Sequence, residues 1–467
     1  MVEASKDKAS NGRRVLVVGA GGSMTQAFLR AMAQAAPKDL RFDLRDINEE
    51  AVHTAVGLFG DERATGSRLD LFDGAELHAA ASGAAFVVNG AGPFHLTAEP
   101  VRRAAIAARA DYFDIDDDVE SAADALAISD LAEAAGSALF VGCGASPGLT
   151  NVLALDLVRR LDEVASIDVA WCVGDEGPVE LGRSVIAHTL HMGAGDYVGW
   201  RDGGPVSRRS FATTRRLPLP GLKRQPFYEC AHPEPVMLGS SFPEARDVTC
   251  WGTLHPSPLN GVLRGVAEAE RAGRIDTEGA IDFLRAAIAG RPTDRRAEKL
   301  AIDGVKRQIR AGEISRADYW LFVLNALLKR QYPTRAATAA LVRGTKEGEP
   351  IELLRYIDST PPDSPLKQME IATGCAEAAF FLEALEGAAK GRRGCLFPER
   401  WVDPTTFYRR LDSCLPPGAG DWLGPILART PPGGPRRGSE DSASGWRRFS
   451  DEAPPEATPP SRSDEEP

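Results

Sequence analysis

The fold is decided by the stretch Arg14-Val15-Leu16-Val17-Val18-Gly19-Ala20-Gly21-Gly22-Ser23-Met24, which the helical sequence Thr25-Gln26-Ala27-Phe28-Leu29 follows. Its first five residues have the apolar, β-branched character of a buried parallel strand, and the glycines then form a turn before the helix. Glycine lets the backbone turn tightly, and the helix amino terminus offers unpaired N–H groups to an anion. The stretch therefore predicts a pyrophosphate site for a dinucleotide. The residues predicted to contact it are Gly19, Gly21, Gly22, Ser23 and Met24.

Met24 stands where the fingerprint Gly-x-Gly-x-x-Gly has its third glycine. That glycine normally keeps helix and strand close together, so a methionine is expected to move them apart. The alternative interpretation is an ordinary strand-to-helix turn that binds no ligand.

A carboxylate follows the second predicted strand. Asp46 ends the strand that begins near Asp39, about 20 residues past the glycine turn, where a carboxylate binds the adenosine ribose hydroxyls. An acid there repels a 2′-phosphate and favours NAD, whereas Arg41 and Arg45 beside it would favour NADP. Both cofactors therefore stay open. Asp70, after a third short strand, is a candidate for adenine contact, with a plain loop carboxylate as the alternative.

The composition excludes several classes of protein. The chain has 467 residues, enough for two or three domains. Its net charge is −11 and it has no long basic stripe, so no nucleic-acid partner is expected. No apolar run is long enough to span a bilayer and the first residues lack the apolar core of a signal peptide, so we expect a cytoplasmic protein. The seven cysteines are scattered without a Cys-x-x-Cys spacing, which predicts reduced thiols and no metal site.

The alternation of apolar runs and helical segments predicts an α/β protein. We expect a Rossmann-type doubly wound parallel sheet and a second α+β domain with a helical insertion. We predict that residues 1–12 are disordered, that 13–150 form the dinucleotide-binding domain, and that 151–395 form a substrate or dimerisation domain with the insertion at about 261–335. Residues 396–430 are predicted to be carboxyl-terminal helices that return to the Rossmann domain. Residues 431–467, rich in Pro, Gly and Ser, are predicted to be a disordered tail.

Two more loops follow predicted strands at the carboxyl edge of the sheet, where open α/β folds bind ligands. The first is Asn89-Gly90-Ala91-Gly92-Pro93, whose glycines allow backbone contact with the nicotinamide ribose. Its alternative is a structural turn in which Pro93 opens a helix. The second loop runs from Gly142 to Asn151, with Pro147 and Gly148 predicted to wall the nicotinamide and Asn151 as a donor. A loop that only starts a helix is the alternative there.

The order of these motifs resembles the saccharopine dehydrogenase-like family of oxidoreductases. The resemblance extends to Tyr197–Gly204, Met369–Gly374 and Gly394–Glu399, and so covers most of residues 13–415. It implies hydride transfer between NAD or NADP and a C–N bond, in an imine or secondary amine derived from an amino acid or polyamine. Met24 departs from the family's glycine turn.

An acidic cluster, Asp114, Asp116, Asp117 and Asp118, follows the Tyr112-Phe113 strand. A carboxylate can hold a cationic nitrogen or deliver a proton, and the resemblance assigns the catalytic role to Asp114. Asp117 and Asp118 are interpreted as charges at a helix amino terminus. His188 and His191, three residues apart, are interpreted as two histidines on one face of a packed helix, and Arg201 as a clamp for a substrate carboxylate or a surface ion pair.

Two other functions remain open. One is a reductase of a C=C or C=O bond in a lipid-like substrate, which would need an apolar pocket without a cationic clamp. The other is a non-catalytic NAD-binding or scaffold protein, suggested by Met24 and the lack of a strong catalytic dyad. As partners we expect a small-molecule substrate and no nucleic acid or membrane span, with a homodimer as the working hypothesis for assembly.

Overall fold

The computed structural model describes residues 13–60, 62–174, 181–291, 293–328, 330, 332, 335–359, 364–431 and 446–449. The predicted disorder of 1–12 and of the tail at 432–445 and 450–467 lies outside these residues.

The first half of the chain alternates strands and helices. Its elements are β1 (Arg14–Val18), α1 (Ser23–Ala35), β2 (Arg41–Asp46), α2 (Glu49–Gly57), β3 (Ala64–Arg68), α3 (Gly74–Ala81), β4 (Phe86–Asn89), α4 (Phe94–Ala108), β5 (Asp111–Asp114), α5 (Val119–Ala127), α6 (Ser129–Ala135), β6 (Ala138–Phe140) and α7 (Leu149–Val158).

The second half mixes strands with a group of helices. Its elements are β7 (Glu163–Val173), α8 (Arg183–Met192), β8 (Asp196–Arg201), β9 (Gly204–Arg209), β10 (Thr214–Arg216), β11 (Pro226–Glu229), α9 (Glu234–Ser241), β12 (Asp247–Leu254), α10 (Pro258–Arg271), α11 (Thr277–Ile288), α12 (Arg295–Arg310), α13 (Arg316–Leu327), β13 (Ala337–Lys346), β14 (Glu349–Tyr356), α14 (Met369–Leu385), β15 (Gly394–Leu396), α15 (Pro404–Cys414), β16 (Leu427–Arg429) and β17 (Arg447–Arg448).

The first sheet has the order β15-β6-β5-β4-β1-β2-β3, with every neighbouring pair parallel. The order reverses between β1 and β4, which creates the crevice where doubly wound folds bind ligands. The predicted Rossmann-type sheet is confirmed. Gly394–Leu396 forms the edge strand β15, whose backbone pairs with β6, so Leu396 lies in a strand.

The second sheet is mixed and has the main order β10-β11-β12-β7-β13-β14-β16-β17, with the β8–β9 hairpin paired to β12. β7 is parallel to β12 and antiparallel to β13, and the hairpin between β13 and β14 turns at Glu347-Gly348. The helices α10 to α13 form the predicted helical insertion between β12 and β13. The α/β class with a second α+β unit is therefore confirmed.

Helix α14 packs tightly against α1. Gly374 lies so close to α1 that a Cβ atom there would be 2.4 Å from the Met24 carbonyl oxygen and 2.6 Å from the Phe28 nitrogen. The Met24 side chain packs with Phe94 and Ile115 in a small apolar cluster. This cluster lies on the wall of the cavity described below, where the methionine side chain has more room than the glycine of the fingerprint needs.

Part of the predicted disordered tail is ordered. Arg447–Arg448 pairs antiparallel with β16, and the Arg429 guanidinium lies 4.4 Å from the centre of the Trp446 ring. Phe449 donates its N–H to the carbonyl of Ile426 at 2.9 Å. Two aromatic side chains thus give this short segment apolar surface to bury, which the surrounding Pro- and Ser-rich sequence lacks.

Candidate functional site

The three loops predicted to form the site line a single cavity of about 1260 Å³. Its wall includes Gly21 to Thr25 from the glycine turn, Gly90, Gly92 and Pro93 from the loop after β4, and Ala145 and Ser146 from the loop after β6. The cavity continues from this crevice between the two sheets to the helical insertion.

The glycine turn needs glycine for steric reasons. Gly19 has φ +80°, and a Cβ atom there would lie 2.5 Å from the nitrogen of Ala91. Gly90 is equally constrained, since its Cβ would lie 2.0 Å from the Thr25 hydroxyl. The first two loops are therefore in backbone contact, which leaves the helix end accessible to a ligand between them.

The amino terminus of α1 has unused donors. The N–H groups of Ser23, Met24 and Thr25 donate no backbone hydrogen bond among the described residues. The Thr25 hydroxyl is buried and has no hydrogen-bond partner there either, although it lies on the cavity wall. Such a cradle fits the pyrophosphate of a dinucleotide, which would accept these hydrogen bonds.

Asp46 lies beside this turn, as its spacing predicts. Its Oδ2 accepts a hydrogen bond from the Gly21 N–H at 2.9 Å, and its Oδ1 accepts one from Asn48. Arg45 is held by Asp43, with Nε and Oδ1 at 2.6 Å. Arg41 lies at the opposite end of β2 and donates to backbone carbonyls. The two arginines expected to favour NADP are thus paired or remote from Asp46.

Asp70 follows β3 at the same edge of the sheet and accepts a hydrogen bond from the Phe72 N–H at 3.0 Å. Its contact with adenine stays a prediction. Two large apolar side chains that the sequence analysis missed, Ile47 and Phe72, are exposed at the ends of β2 and β3. Exposed apolar side chains at this edge suit an adenine ring, and only the strand order places them together.

The structure corrects the role of Asn89. The residue is buried, its Oδ1 accepts a hydrogen bond from Ala91 N–H at 3.1 Å, and its Nδ2 donates to the Tyr112 hydroxyl. Asn89 therefore holds the turn from beneath and does not line the cavity. Ala91 uses its N–H in the same bond, so Gly90, Gly92 and Pro93 are the residues of this loop that face a ligand.

A similar correction applies to the loop after β6. Pro147 and Gly148 are buried, and the Gly148 N–H donates to Asn151, whose own side chain donates to Glu399 at 2.8 Å. These residues fix the loop and are not on the cavity wall. Ala145 and Ser146 form the wall instead.

Asp114 is not where a catalytic residue must be. Its side chain is fully buried and lies 2.7 Å from the buried guanidinium of Arg102, which also contacts Asp116 at 2.5 Å. Its Oδ1 accepts the N–H of Gly142 at 2.8 Å. Asp114 thus joins the ends of β5 and β6, and the predicted contact with substrate does not hold because the side chain has no access to the cavity.

Asp117 and Glu370 are the carboxylates on the cavity wall, and the buried Asp118 lies directly behind Asp117 and His188. Asp118 accepts hydrogen bonds from Nδ1 of His188 at 2.9 Å and from both the N–H and Nδ1 of His95, at 2.8 and 3.1 Å. Nε2 of His188 lies 3.4 Å from Asp117. Asp117 and His188 line the cavity. Asp118 occupies the N-cap position at the amino terminus of α5, but its carboxylate bonds to the two histidines and makes no capping hydrogen bond.

These contacts set the charges of the group. Burial alone would lower the pKa of His188, but the carboxylates of Asp117 and Asp118 outweigh it and raise that pKa to about 10. Burial would raise the pKa of Asp118, yet hydrogen bonds from His188 and His95 hold it well below its usual range. His188 is therefore a protonated imidazolium at neutral pH that faces a cavity.

A second histidine pair lies next to it. Nδ1 of His232 is 2.5 Å from Oε2 of the buried Glu234, and the Ser146 and Thr150 hydroxyls donate to the other carboxylate oxygen. Burial opposes the charge on His232, but Glu234 raises its pKa overall. The rings of His188 and His232 are 5.9 Å apart. Two histidines, each paired with a buried carboxylate, thus come together from separate segments.

The donor atoms of Asp117, His188 and His232 lie within 4.8 Å of one another, a spacing that a metal ion can bridge. Both ring nitrogens of His188, however, already face carboxylates, and Nδ1 of His232 faces Glu234. A carboxylate on one ring nitrogen orients the imidazole and leaves the other nitrogen to carry a proton or to bind a metal ion, so these contacts allow either role.

The remainder of the cavity is mainly apolar. Its wall includes Trp171 and Val173 from β7 and apolar side chains of the helical insertion. The insertion residues are Leu259, Val262, Leu263, Leu284, Ile288, Phe322 and Ala326. The predicted clamp Arg201 lies elsewhere, 3.8 Å from Glu229 and 3.6 Å from Asp247, and does not reach this wall.

The fold matches a known oxidoreductase structure. The structure of apo saccharopine dehydrogenase (L-Glu forming) from Saccharomyces cerevisiae aligns over 89% of this chain and 100% of its own, with a TM-score of 0.53 and 15% sequence identity. The chain has the saccharopine dehydrogenase fold. GenD2 from gentamicin A biosynthesis, in complex with NAD, gives a TM-score of 0.37 at 12% identity over 86% of this chain and 92% of its own. No protein-family profile and no curated protein matches the sequence.

Proposed function

We propose that this protein is an NAD(P)-dependent oxidoreductase. The observation that carries the proposal is that the glycine turn, the free end of α1 and the His188–Asp118 pair face one cavity. The fold is that of a dehydrogenase, and the unused N–H donors of Ser23, Met24 and Thr25 suit a dinucleotide pyrophosphate. When bound, the nicotinamide cofactor supplies or accepts a hydride.

The residues of this chain would manage the proton that accompanies the hydride. Reduction of a double bond adds one hydride and one proton, so a site needs an acid beside the reacting atoms. We assign this role to protonated His188, which lines the cavity and is held in place by Asp118. Asp118 fixes the ring through Nδ1, which leaves Nε2 and the neighbouring Asp117 facing the cavity.

The mainly apolar wall favours a substrate with a C=O or C=C bond in a largely hydrocarbon molecule, and Arg330, Lys367 and Glu370 add charged groups to it. Burial of such a molecule against Trp171, Leu263 and Phe322 would stabilise binding by about 25 cal/mol per Å² of apolar area. The C–N reaction implied by the resemblance is the second candidate. It is favoured by Asp117, whose carboxylate is placed to hold a cationic nitrogen.

Binding of cofactor is tested by titrating the purified protein with NADH and with NADPH and following the reduced-nicotinamide fluorescence. Saturable binding of either supports the proposal, and no change with either contradicts it. A panel of hydrophobic ketones, enoyl compounds and secondary amines, followed at the NADH absorbance band, then separates the two substrate classes. Turnover restricted to the amines would overturn our preference for the hydrocarbon class.

The acid role of His188 is tested with the variant His188→Gln. We expect kcat to fall by about 100- to 10,000-fold, while the NADH dissociation constant stays within a factor of about two. The matched control is His191→Gln, on the same helix, since His191 is not on the cavity wall and pairs with Glu120. Equal activity of the two variants would contradict the assignment.

A further inference from the structure

Helix α13 exposes a row of large apolar side chains. Trp320 is 64% exposed and Leu327 is 77% exposed, and three leucines beside them are also exposed. Residues three, four and seven apart lie on one side of a helix, so these side chains form one surface. We call it the α13 stripe; its members are Trp320, Leu321, Leu324, Leu327 and Leu328. Soluble proteins rarely leave such a contiguous apolar surface without a partner.

The other side of α13 lines the cavity. Phe322, Asn325 and Ala326 are part of the cavity wall, whereas none of the helix residues is fully buried. A helix on the surface of a globular protein normally turns polar residues outward. Here a single helix separates an apolar cavity from an apolar outer surface.

The helical insertion that carries the stripe is more basic than the rest of the chain, which favours an anionic partner. Residues 258–330 contain fourteen Lys and Arg and ten Asp and Glu, a net charge of +4, in a chain whose net charge is −11. Exposed Arg316 and Arg330 lie at the two ends of the stripe. A helix with exposed Trp and Leu and cationic residues at its ends is typical of segments that lie in the interface of a membrane.

We propose that the α13 stripe docks on an anionic lipid surface, from which a hydrophobic substrate enters the cavity. The docking itself is independent of the proposed function, and only the access route depends on it. A second copy of this chain fits less well. If two α13 helices packed antiparallel about a two-fold axis, Arg316 of each copy would lie close to Arg330 of the other, and the like charges would repel. Anionic lipid headgroups would instead neutralise both arginines.

The test is co-sedimentation of the full chain with phosphatidylcholine vesicles, with and without phosphatidylglycerol. We expect binding to the phosphatidylglycerol vesicles that weakens as salt is added. The double variant Leu324→Asp/Leu327→Asp should bind at least about tenfold more weakly, since each leucine loses its apolar burial. The control is Leu131→Asp on α6, a comparably exposed leucine of the first domain, which should bind as the wild type does.

Two results would overturn the proposal. One is the absence of sedimentation with phosphatidylglycerol vesicles. The other is a wild-type dimer, measured by light scattering, that the α13 variant converts to a monomer, because the stripe would then be covered by a second copy. Thermal unfolding followed by circular dichroism shows that each variant is folded. NADH titration of the same samples keeps the two proposals apart, since vesicle binding without NADH binding would refute only the oxidoreductase function.

Discussion

Asp118 illustrates how one buried carboxylate can organise several charged residues. It receives hydrogen bonds from His95 in α4 and His188 in α8, and its side chain is fully buried. A buried charge is costly unless it is paired and hydrogen-bonded, and Asp118 has both compensations. The neighbouring Asp117 keeps partial exposure and faces the cavity. These two adjacent aspartates thus differ in role: Asp118 positions the two histidines, and Asp117 faces the cavity.

Asp46 provides a prediction on cofactor choice. Removal of its carboxylate in Asp46→Ala should weaken NADH binding by about tenfold, the effect of losing one charge-assisted hydrogen bond to the ribose, and NADPH binding much less. Because Asp46 also accepts the Gly21 N–H, a merely distorted turn would weaken both cofactors equally. Fluorescence titrations with NADH and with NADPH give the change in each dissociation constant and hence the ratio of the two changes. Asp39→Ala, an exposed acid at the other end of the β2 region, is the control and should leave both affinities unchanged.

At the scale of elements, the contact between α1 and α14 controls the cofactor turn. Gly374 permits this contact, since a side chain there would meet the backbone of α1. Phe28 and Phe381 meet edge to face across the same interface, with ring centres 6.0 Å apart. The motif Met369–Gly374 therefore packs against α1 and also forms part of the cavity wall, although it lies far from that helix in sequence.

Gly374→Ala tests this contact. The added methyl group would force α1 and α14 apart and should lower the free energy of unfolding by about 1–3 kcal/mol, as overpacking does. It should also weaken NADH binding, because the amino terminus of α1 moves. Gly57→Ala in α2 is the matched control, since no atom lies within 4 Å of a Cβ placed there. Chemical denaturation gives the free energy of unfolding of both variants. Equal values would show that the interface between α1 and α14 accommodates the added methyl group.

On the scale of the whole molecule, the site forms where the two domains meet. Asp117 and Asp118 come from the first sheet's connections and His188 from the second domain. The cavity is closed on one side by the Rossmann loops and on the other by β7 and the helical insertion. The proposed cofactor and substrate would thus approach from different domains, as is common for pockets at domain interfaces.

The ion pair between the domains makes stability depend on pH. His188 has a pKa of about 10 in the folded chain against 6.5 for an unperturbed histidine. Its charged contacts therefore stabilise the fold fully below pH 6.5, and that contribution is lost as the pH rises through 10. The difference in Tm between wild type and His188→Gln should shrink over this range. A difference that stays constant from pH 6.5 to 10 would show that His188 is not charged in the fold.

Much of the architecture was predictable because it depends on local patterns. The apolar strand Arg14–Val18, the glycine turn and Asp46 predict a Rossmann-type sheet and one face of its ligand site from spacing alone. The hairpin at Glu347-Gly348 follows from the same kind of signal. These features depend only on residues that are close together in the sequence, so they can be predicted from the sequence.

Tertiary structure alone decided which side chains face the cavity. Asp114 and Asn89 lie next to the predicted loops in sequence, but burial gives them supporting contacts, whereas Asp117 gains a partner in His188, 71 residues later. The apolar cavity and the α13 stripe likewise depend on how the insertion packs against β7. The sequence determined the strands, the turn and the cofactor-type crevice, because local backbone preferences act over a few residues. The proton-bearing group and the apolar wall were decided only by the fold, because burial and ion pairing depend on residues that meet from distant segments.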